Sequence, residues 1–227
     1  MTDPALVIFD MDGTLVDSQA HICAAMEAAF HAEDLPAPSR PRILNIVGLS
    51  LPRAVALLAG GEPQARIDRL VAGYKAAYSD LRGSLGEDAG SPLYPGARAA
   101  LDRLAALDHV LIGVATGKSR RGLDHVIASH DLARYFVTIQ VADDHPSKPH
   151  PSMILRALSE TGVAPERAVM VGDTSYDMEM GAAAGIATLG VTWGYHPQVQ
   201  LTAAGAHRVV GDFAALETAL HRIWERA

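Results

Sequence analysis

Two aspartates near the N-terminus are the residues best suited to do chemistry. Asp10 and Asp12 follow an apolar run at residues 6–9, which predicts a buried strand. Side chains at that end of a strand lie where open α/β sheets bind ligands. Two carboxylates this close repel, so both ionise only where a cation compensates them, and oxygen ligands favour Mg²⁺. One carboxylate could then be a nucleophile and the other a proton donor, which suits phosphoryl transfer.

Three later strand predictions also end in side chains that suit phosphate or metal binding. They supply a hydroxyl, a cation or carboxylates at or after the strand end: Thr116 after residues 110–115, Lys148 after residues 137–141, and Asp173 and Asp177 after residues 168–171. Four such placements in order are much harder to obtain by chance than one. The sequence therefore predicts that these side chains belong to one site.

The four segments together resemble the motifs of the haloacid dehalogenase superfamily of phosphatases, in the branch with a helical cap. The matching segments are Asp10-x-Asp12-Gly13-Thr14, Thr116-Gly117, Lys148-Pro149 and Gly172-Asp173-x-x-x-Asp177. The resemblance covers almost the whole chain, and phosphoglycolate phosphatase-like members are the most similar. It implies a Mg²⁺-dependent phosphatase that hydrolyses a small phosphorylated metabolite, with 2-phosphoglycolate as one candidate, through an aspartyl-phosphate intermediate.

The resemblance also implies a role for each motif residue. Asp10 would be the nucleophile, and Asp12 would protonate the leaving oxygen and then activate water. Phosphate binding would fall to four residues: Gly13 through its backbone N–H, Thr116, Gly117 and Lys148. The Mg²⁺ ligands would be Asp10, the backbone carbonyl of Asp12, and Asp173, while Asp177 would reach Lys148 or metal-bound water. Lys118 is the alternative to Lys148 as the cation, although it opens the next predicted helix.

The hydrophobic pattern divides the chain into two regions. After the first strand the spacing of apolar residues is helical, and no strand pattern returns before residue 110. Residues 17–92 are therefore predicted to be an inserted all-helical cap, with residues 83–95 as its return linker. Residues 1–16 and 93–227 are predicted to form an α/β catalytic core, a doubly wound parallel sheet of Rossmann-like type. Two crossings between cap and core make a natural hinge.

A loop in the predicted cap is the candidate for substrate selection. Gly48-Leu49-Ser50 separates two predicted helices, and the resemblance implies that such a loop points at the active site. Arg42 and Arg53 flank it in sequence and could pair with a substrate carboxylate, which favours small carboxylated phosphate esters. The alternative is that both arginines are solvated residues on helix surfaces.

Composition excludes several other classes of function. The chain has 227 residues and a formal net charge of −7, so it has no basic footprint for nucleic acid. No apolar run approaches the length of a membrane span, and the N-terminus lacks the pattern of a signal peptide. The single cysteine, Cys23, suits a reducing compartment. We therefore expect a cytoplasmic monomer or homodimer that acts on a small metabolite, without nucleic-acid or membrane partners.

Related activities stay open at the level of sequence. A phosphoglucomutase-like phosphotransferase or an inorganic pyrophosphatase would keep the same four motifs. A dehalogenase would not need the second aspartate, Asp12, which is present. A non-catalytic binding module would be expected to have lost motif residues, and none is lost.

Overall fold

Six parallel strands form one sheet in the computed structural model, which describes residues 3–85 and 91–225. Their bounds are β1 (Ala5–Phe9), β2 (Val110–Thr116), β3 (Phe136–Val141), β4 (Ala168–Gly172), β5 (Ala187–Val191) and β6 (Arg208–Val210). The strand order is β3-β2-β1-β4-β5-β6, so the chain builds first toward one edge and then toward the other. The order reverses between β1 and β4, where open α/β sheets bind ligands. The predicted doubly wound α/β core is confirmed.

The helices fall into two groups along the chain. Four follow β1 without an intervening strand: α1 (Gln19–Ala32), α2 (Arg40–Leu44), α3 (Leu51–Ala59) and α4 (Gln64–Leu85). The second group starts before β2 and then alternates with strands: α5 (Ala97–Ala105), α6 (Arg120–Ser129), α7 (Ser152–Thr161), α8 (Ser175–Ala183), α9 (Gln198–Ala203) and α10 (Phe213–Trp224), with a 3₁₀ turn at Pro165–Arg167. Within the described ranges, no helix combines the length and the apolar character needed to cross a bilayer.

The central strand β1 explains why helices cover both faces of the sheet. Ala5, Val7 and Phe9 belong to one buried cluster, and Leu6 and Ile8 belong to another. All five side chains are fully buried, as expected of a central strand that is apolar without alternation. The first cluster includes residues of α5, α6 and α10, and the second includes residues of α7 and α8.

The first four helices pack mainly on one another. Their buried side chains form a separate cluster that includes Met26 of α1, Ile43 of α2, Val55 of α3 and Leu70 of α4. These helices account for the long stretch in which the sequence shows no strand pattern. We propose that they are the inserted cap, with residues 17–92 as its limits and residues 1–16 and 93–227 as the core.

The two crossings between the helical group and the sheet lie side by side. The amide of Asp17 donates to the carbonyl oxygen of Pro92 at 2.8 Å, and Val16 forms an antiparallel bridge with Leu93. These contacts fall at the proposed limits of the cap. Two adjacent crossings can act together as one hinge.

The helix bounds differ from the sequence predictions at two places. α4 continues to Leu85, so residues 83–85 are helical and do not belong to a linker, while residues 86–90 of the predicted linker lie outside the described residues. The apolar spacing predicts a helix over residues 42–46, whereas α2 begins at Arg40, because Pro41 fits the first turn of a helix, where its missing N–H costs nothing.

The sequence offers Asp17 and Ser18 as residues that could cap the first helix, but the Ser18 hydroxyl does not cap α1. The Ser18 hydroxyl donates instead to Oδ1 of Asp12. A hydrogen bond from a hydroxyl to a carboxylate is charge-assisted. It is therefore stronger than a hydrogen bond from a backbone N–H at the helix start to the neutral hydroxyl oxygen. The start of α1 is thereby tied to the motif that follows β1.

Candidate active site

The sheet topology brings the motif residues to one edge. Asp10 directly follows β1, Thr116 is the last residue of β2, and Asp173 directly follows β4. These three strands are neighbours in the sheet, so their ends meet. The three side chains are almost fully buried, as is Lys148. Buried charged groups in a sheet-end crevice are the usual mark of a functional site.

Asp10 has one oxygen held by the backbone and one that faces a cation. Its Oδ1 accepts a hydrogen bond from the amide of Met11 at 2.6 Å. Its Oδ2 lies 3.1 Å from Nζ of Lys148 but accepts no hydrogen bond of good geometry from the described residues. Burial raises the pKa of Asp10 to about 7, and Lys148 opposes that shift. The carboxylate is therefore costly to ionise without further positive charge.

Lys148 bridges Asp10 and Asp177. Its Nζ lies 2.6 Å from Oδ1 of Asp177, whose Oδ2 accepts from the hydroxyl and the amide of Thr174 at 2.7 and 3.1 Å. Burial alone would lower the pKa of Lys148, but the two carboxylates outweigh burial and hold it above its usual value. Lys148 and a metal-bound water molecule were the two partners expected for Asp177, and the structure shows the contact with Lys148.

Asp173 is held from both sides by neutral donors. The hydroxyl of Thr14 donates to its Oδ1 and the amide of Tyr195 donates to its Oδ2, each at 2.9 Å. The absence of a side chain at Gly13 and Gly194 leaves space for this carboxylate, because a Cβ at either position would lie 2.2 Å from an Asp173 side-chain atom. From the sequence, residues 193–195 could either shape the pocket edge or pack in the core. The structure shows that this segment holds Asp173.

One expected donor is corrected by the structure. The N–H of Gly13 donates to the carbonyl oxygen of Val16 at 2.9 Å, so it is not available to a phosphoryl oxygen. The turn at Gly13 has φ +81°, which closes the backbone onto that carbonyl and favours glycine. Gly13 therefore contributes the turn conformation and the space beside Asp173, rather than a hydrogen bond to the phosphoryl group.

The carboxylates form a group that fits a divalent cation. Oxygen atoms of Asp10, Asp173 and Asp177 lie within 4.8 Å of one another, and all three residues are buried. Burial, with the charges of Asp177 and Asp10, raises the pKa of Asp173 well above its usual value. Lys148 supplies one positive charge against three carboxylates, so the cluster lacks compensating charge. Oxygen donors alone suit Mg²⁺.

Asp12 pairs with the second lysine. Its Oδ1 lies 2.8 Å from Nζ of Lys118, and only about 10% of each side chain is exposed. Lys118 also lies 3.5 Å from the hydroxyl of Tyr78 and 5.3 Å from its ring centroid. The sequence treated Lys118 and Lys148 as rivals for one role, whereas the structure pairs Lys118 with Asp12 and Lys148 with Asp10.

The motif after β2 contacts the loop between α2 and α3. A Cβ on Gly117 would lie 2.6 Å from the carbonyl oxygen of Gly48 and 2.7 Å from that of Leu49. The amide of Ser50 donates to the hydroxyl of Ser147 at 2.9 Å. The structure therefore brings the predicted specificity loop onto the core beside Thr116, where the resemblance implied it would point.

A cavity of about 540 Å³ lies between the helical group and the sheet edge. It is lined by Asp10, Asp12, Thr116, Gly117 and Lys118, together with the α2–α3 loop and residues of α1, α4 and α6. Its size falls in the usual range for small-molecule sites. The proposed catalytic residues and the predicted specificity loop therefore line the same cavity.

The two arginines expected to read the substrate lie elsewhere. Arg42 and Arg53 are exposed, and neither lines the cavity; Arg42 instead lies 3.5 Å from the carbonyl oxygen of Leu58. Short helices turn the side chains that flank the loop outward, while the loop backbone points inward. Besides Lys118, the cations that line the cavity lie on α4 and α6, and the sequence did not single them out because they resemble a solvated helix face.

Comparison with known proteins agrees with this site. The chain matches the family model described as Haloacid dehalogenase-like hydrolase over residues 7–191. It is 35% identical over 221 residues to "Probable phosphatase IndB" of Dickeya dadantii (strain 3937), a match that covers 96% of this chain and 94% of the relative. It is 30% identical over 208 residues to "Phosphoglycolate phosphatase" of Salmonella typhi, covering 84% and 82%. A solved hydrolase from Pseudomonas syringae superposes with a TM-score of 0.83 at 26% identity, covering 97% and 99%.

The fold and the strand-end aspartates define a hydrolase with a doubly wound core. The chain belongs to the haloacid dehalogenase-like hydrolase family. The phosphatases among its relatives place it with the members of that family that hydrolyse phosphoric monoesters. The family resemblance predicted from the four motifs is confirmed.

Proposed function

We propose that the chain is a Mg²⁺-dependent phosphatase that forms an aspartyl-phosphate on Asp10. The observation that supports this most is the buried contact of Asp10 with Lys148, next to Asp173 and Asp177. A carboxylate with one oxygen held by a backbone amide and the other beside a cation is oriented for attack. Mg²⁺ would be held by Asp10, Asp173 and the backbone carbonyl of Asp12, and it would neutralise charge and polarise phosphoryl oxygens.

The first half-reaction uses both aspartates. The carboxylate of Asp10 attacks phosphorus in line, forming the acyl-phosphate bond as the bond to the ester oxygen breaks. Asp12 takes up a proton from solvent when it leaves its ion pair with Lys118, and it donates that proton to the departing oxygen. The hydroxyl of Thr116 and the N–H of Gly117 are the donors proposed for the phosphoryl oxygens. Lys148 balances the charge that remains between Asp10 and Asp177.

The second half-reaction regenerates Asp10. Asp12, now ionised, takes a proton from a water molecule that attacks the phosphorus of the phosphorylated aspartate. The bond between phosphorus and the Asp10 oxygen breaks, and inorganic phosphate leaves. Asp12 then releases this proton to solvent, and its carboxylate recovers the ion pair with Lys118, which holds the side chain between turnovers.

The proposed substrate is a small phosphate ester with a second negative charge, with 2-phosphoglycolate as the first candidate. Relatives that are about 30% identical carry the name phosphoglycolate phosphatase, and cationic side chains line the cavity. The specificity role predicted for Gly48, Arg42 and Arg53 is supported for Gly48, whose carbonyl oxygen lies against the core motif. The cavity geometry does not support the two arginines.

Alternative activities on the same core are less favoured. The relatives compared above are named as phosphatases, not as phosphotransferases or pyrophosphatases. All motif residues required for turnover are present and lie together, which argues against a non-catalytic binding module.

The proposed function is tested by phosphate release from 2-phosphoglycolate and from p-nitrophenyl phosphate. We expect turnover of both with Mg²⁺, loss after exhaustive chelation, and recovery when Mg²⁺ is restored. Full turnover after chelation would contradict the metal site. Turnover of pyrophosphate or transfer to a sugar phosphate at a higher rate than ester hydrolysis would favour an alternative activity.

A further inference from the structure

Three cations that the catalytic steps do not use line the cavity. Lys75 and Arg82 lie on α4, and Arg121 lies on α6. Across residues 3–85 and 91–225, no carboxylate forms an ion pair with any of them, although many other arginines of the protein are paired. Three unpaired cations around one cavity of an acidic protein favour binding of an anion there.

Arg82 gives an independent indication of a missing partner. Its Nε is buried and has no hydrogen-bond partner among the described residues. Its guanidinium lies 5.6 Å from the ring centroid of Tyr78, which fixes its position without satisfying that donor. Buried donors in folded proteins are almost always paired, so an acceptor from a bound ligand would complete the arrangement.

These three cations are separate from the phosphoryl centre. Asp12 contacts Lys118, Lys118 contacts Tyr78, and Tyr78 contacts Arg82, so two side chains lie between Arg82 and the catalytic aspartate. Positions 75, 78 and 82 recur at helical spacing, which places them on one face of α4. The phosphoryl centre has its own lysine, Lys148, and does not need these cations.

We propose that Lys75, Arg82 and Arg121 form a second anion subsite for the leaving-group part of the substrate. This inference rests on the proposed phosphatase function and narrows its substrate class to phosphate monoesters that carry a further carboxylate or phosphate. The planar guanidinium groups can bind either anion with two hydrogen bonds. A cavity of about 540 Å³ also leaves room for leaving groups longer than two carbons.

The test compares esters that differ in the charge of the leaving group. The substrates are 2-phosphoglycolate with its carboxylate, fructose 1,6-bisphosphate with its second phosphate, and β-glycerol phosphate with an uncharged leaving group. The variants are Lys75→Ala, Arg121→Ala and Arg82→Gln, with Arg42→Ala and Arg53→Ala as matched controls outside the cavity. Lys75 and Arg121 are exposed, so their variants keep the test valid if the half-buried Arg82→Gln fails to fold.

We expect KM for the preferred anionic ester to rise about tenfold or more in each subsite variant, as loss of a charge-assisted hydrogen bond predicts. KM for β-glycerol phosphate should change less than twofold, and the two controls should leave all three esters unaffected. The anionic ester that loses affinity identifies the subsite as a carboxylate or a phosphate site.

Equal changes in KM for charged and uncharged esters would overturn the subsite, as would unchanged KM for both anionic esters in the Lys75→Ala and Arg121→Ala proteins. Failure of the proposed function has a different signature. A wild-type protein that hydrolyses none of the esters, including β-glycerol phosphate, contradicts the phosphatase itself.

Discussion

Two lysine–aspartate pairs set the chemistry at the scale of single residues. Lys148 stands between Asp10 and Asp177, and Lys118 stands against Asp12. In the proposed mechanism, the first pairing compensates the charge of the buried nucleophile Asp10. The second pairing holds Asp12, the proposed proton-transfer residue, beside α4 of the proposed cap. The two aspartates therefore sit in different surroundings, which is the arrangement that gives neighbouring carboxylates different roles.

The roles of the two aspartates can be separated with the Asp12→Asn protein. Phosphoryl transfer from an alkyl phosphate needs a proton on the leaving oxygen, so this step should slow by roughly two to four orders of magnitude. An aryl phosphate has a weakly basic leaving group and should be affected less. Because breakdown of the phosphoenzyme needs the missing base, rapid mixing with the aryl ester should show a burst of phenolate. Equal losses for the two esters in the first step would show that Asp12 is not the general acid.

The motif residues could be predicted from sequence, but several of their partners could not. Asp10, Asp173 and Lys148 follow strands, and parallel strand ends meet at a common edge. The contact of Lys118 with Tyr78 joins a core loop to a cap helix 40 residues away, and no local pattern encodes it. The hydrogen bond of Gly13 to Val16 depends on the detailed turn geometry, which explains why the expected phosphoryl donor was wrong.

At the scale of elements, the contact between the α2–α3 loop and the end of β2 couples cap to core. Gly117 lies so close to two loop carbonyl oxygens that no side chain fits between them. Gly48 has φ +98°, a conformation that favours glycine and aims the loop backbone at the core. In the proposed mechanism, substrate selection by the cap loop and phosphoryl binding by Thr116 would therefore depend on the same backbone contact.

The Gly117→Ala substitution tests this coupling. Its Cβ would meet backbone atoms that cannot rotate away, so the loop must shift, and kcat/KM should fall roughly 10- to 100-fold. Gly83→Ala is the control, because Gly83 lies in α4 with nothing within 4 Å of an added Cβ. That variant should keep wild-type kinetics and gain up to about 1 kcal/mol in unfolding free energy. Wild-type kinetics of Gly117→Ala would show that the loop contact is not needed for turnover.

The sequence predicted the types of the secondary-structure elements better than it predicted the contacts between them. Continuous apolar runs predicted β1, β2 and β4, because central parallel strands are buried on both faces. The end of α4 was missed because Gly83 resembles a breaker, although the helix passes through it. The outward positions of Arg42 and Arg53 depend on how the short helices α2 and α3 pack, which spacing along the chain does not determine.

At the scale of the whole molecule, the buried carboxylates link stability to pH and to metal. Burial raises the pKa of Asp10 from 3.8 to about 7, so between these values the folded protein holds a proton that the unfolded chain has released. The stability that this proton contributes is complete below about pH 4 and is lost as pH rises through 7. A bound divalent cation would replace the proton in compensating the carboxylate.

The metal-free protein should therefore show a falling Tm between pH 5 and pH 8, by about 2–4 °C for each kcal/mol lost. Saturating Mg²⁺ should raise Tm most at the upper end of that range. Thermal unfolding with and without Mg²⁺ measures both effects. The Asp10→Asn protein is the control, since it lacks the titrating group and should show a shallower slope without metal. A slope that is the same in both proteins would assign the pH dependence to other residues.

Direct detection of phosphate on Asp10 tests the central claim most strongly. The Asp12→Asn protein should be mixed with Mg²⁺ and an aryl phosphate, quenched in acid within the burst, and digested for peptide mass spectrometry. We predict one phosphoryl group on the peptide that contains Asp10, and none when Asp10→Asn is combined with the same change. A phenolate burst without phosphate on Asp10, or phosphate on another residue, would contradict the account of this protein as a phosphatase that works through Asp10.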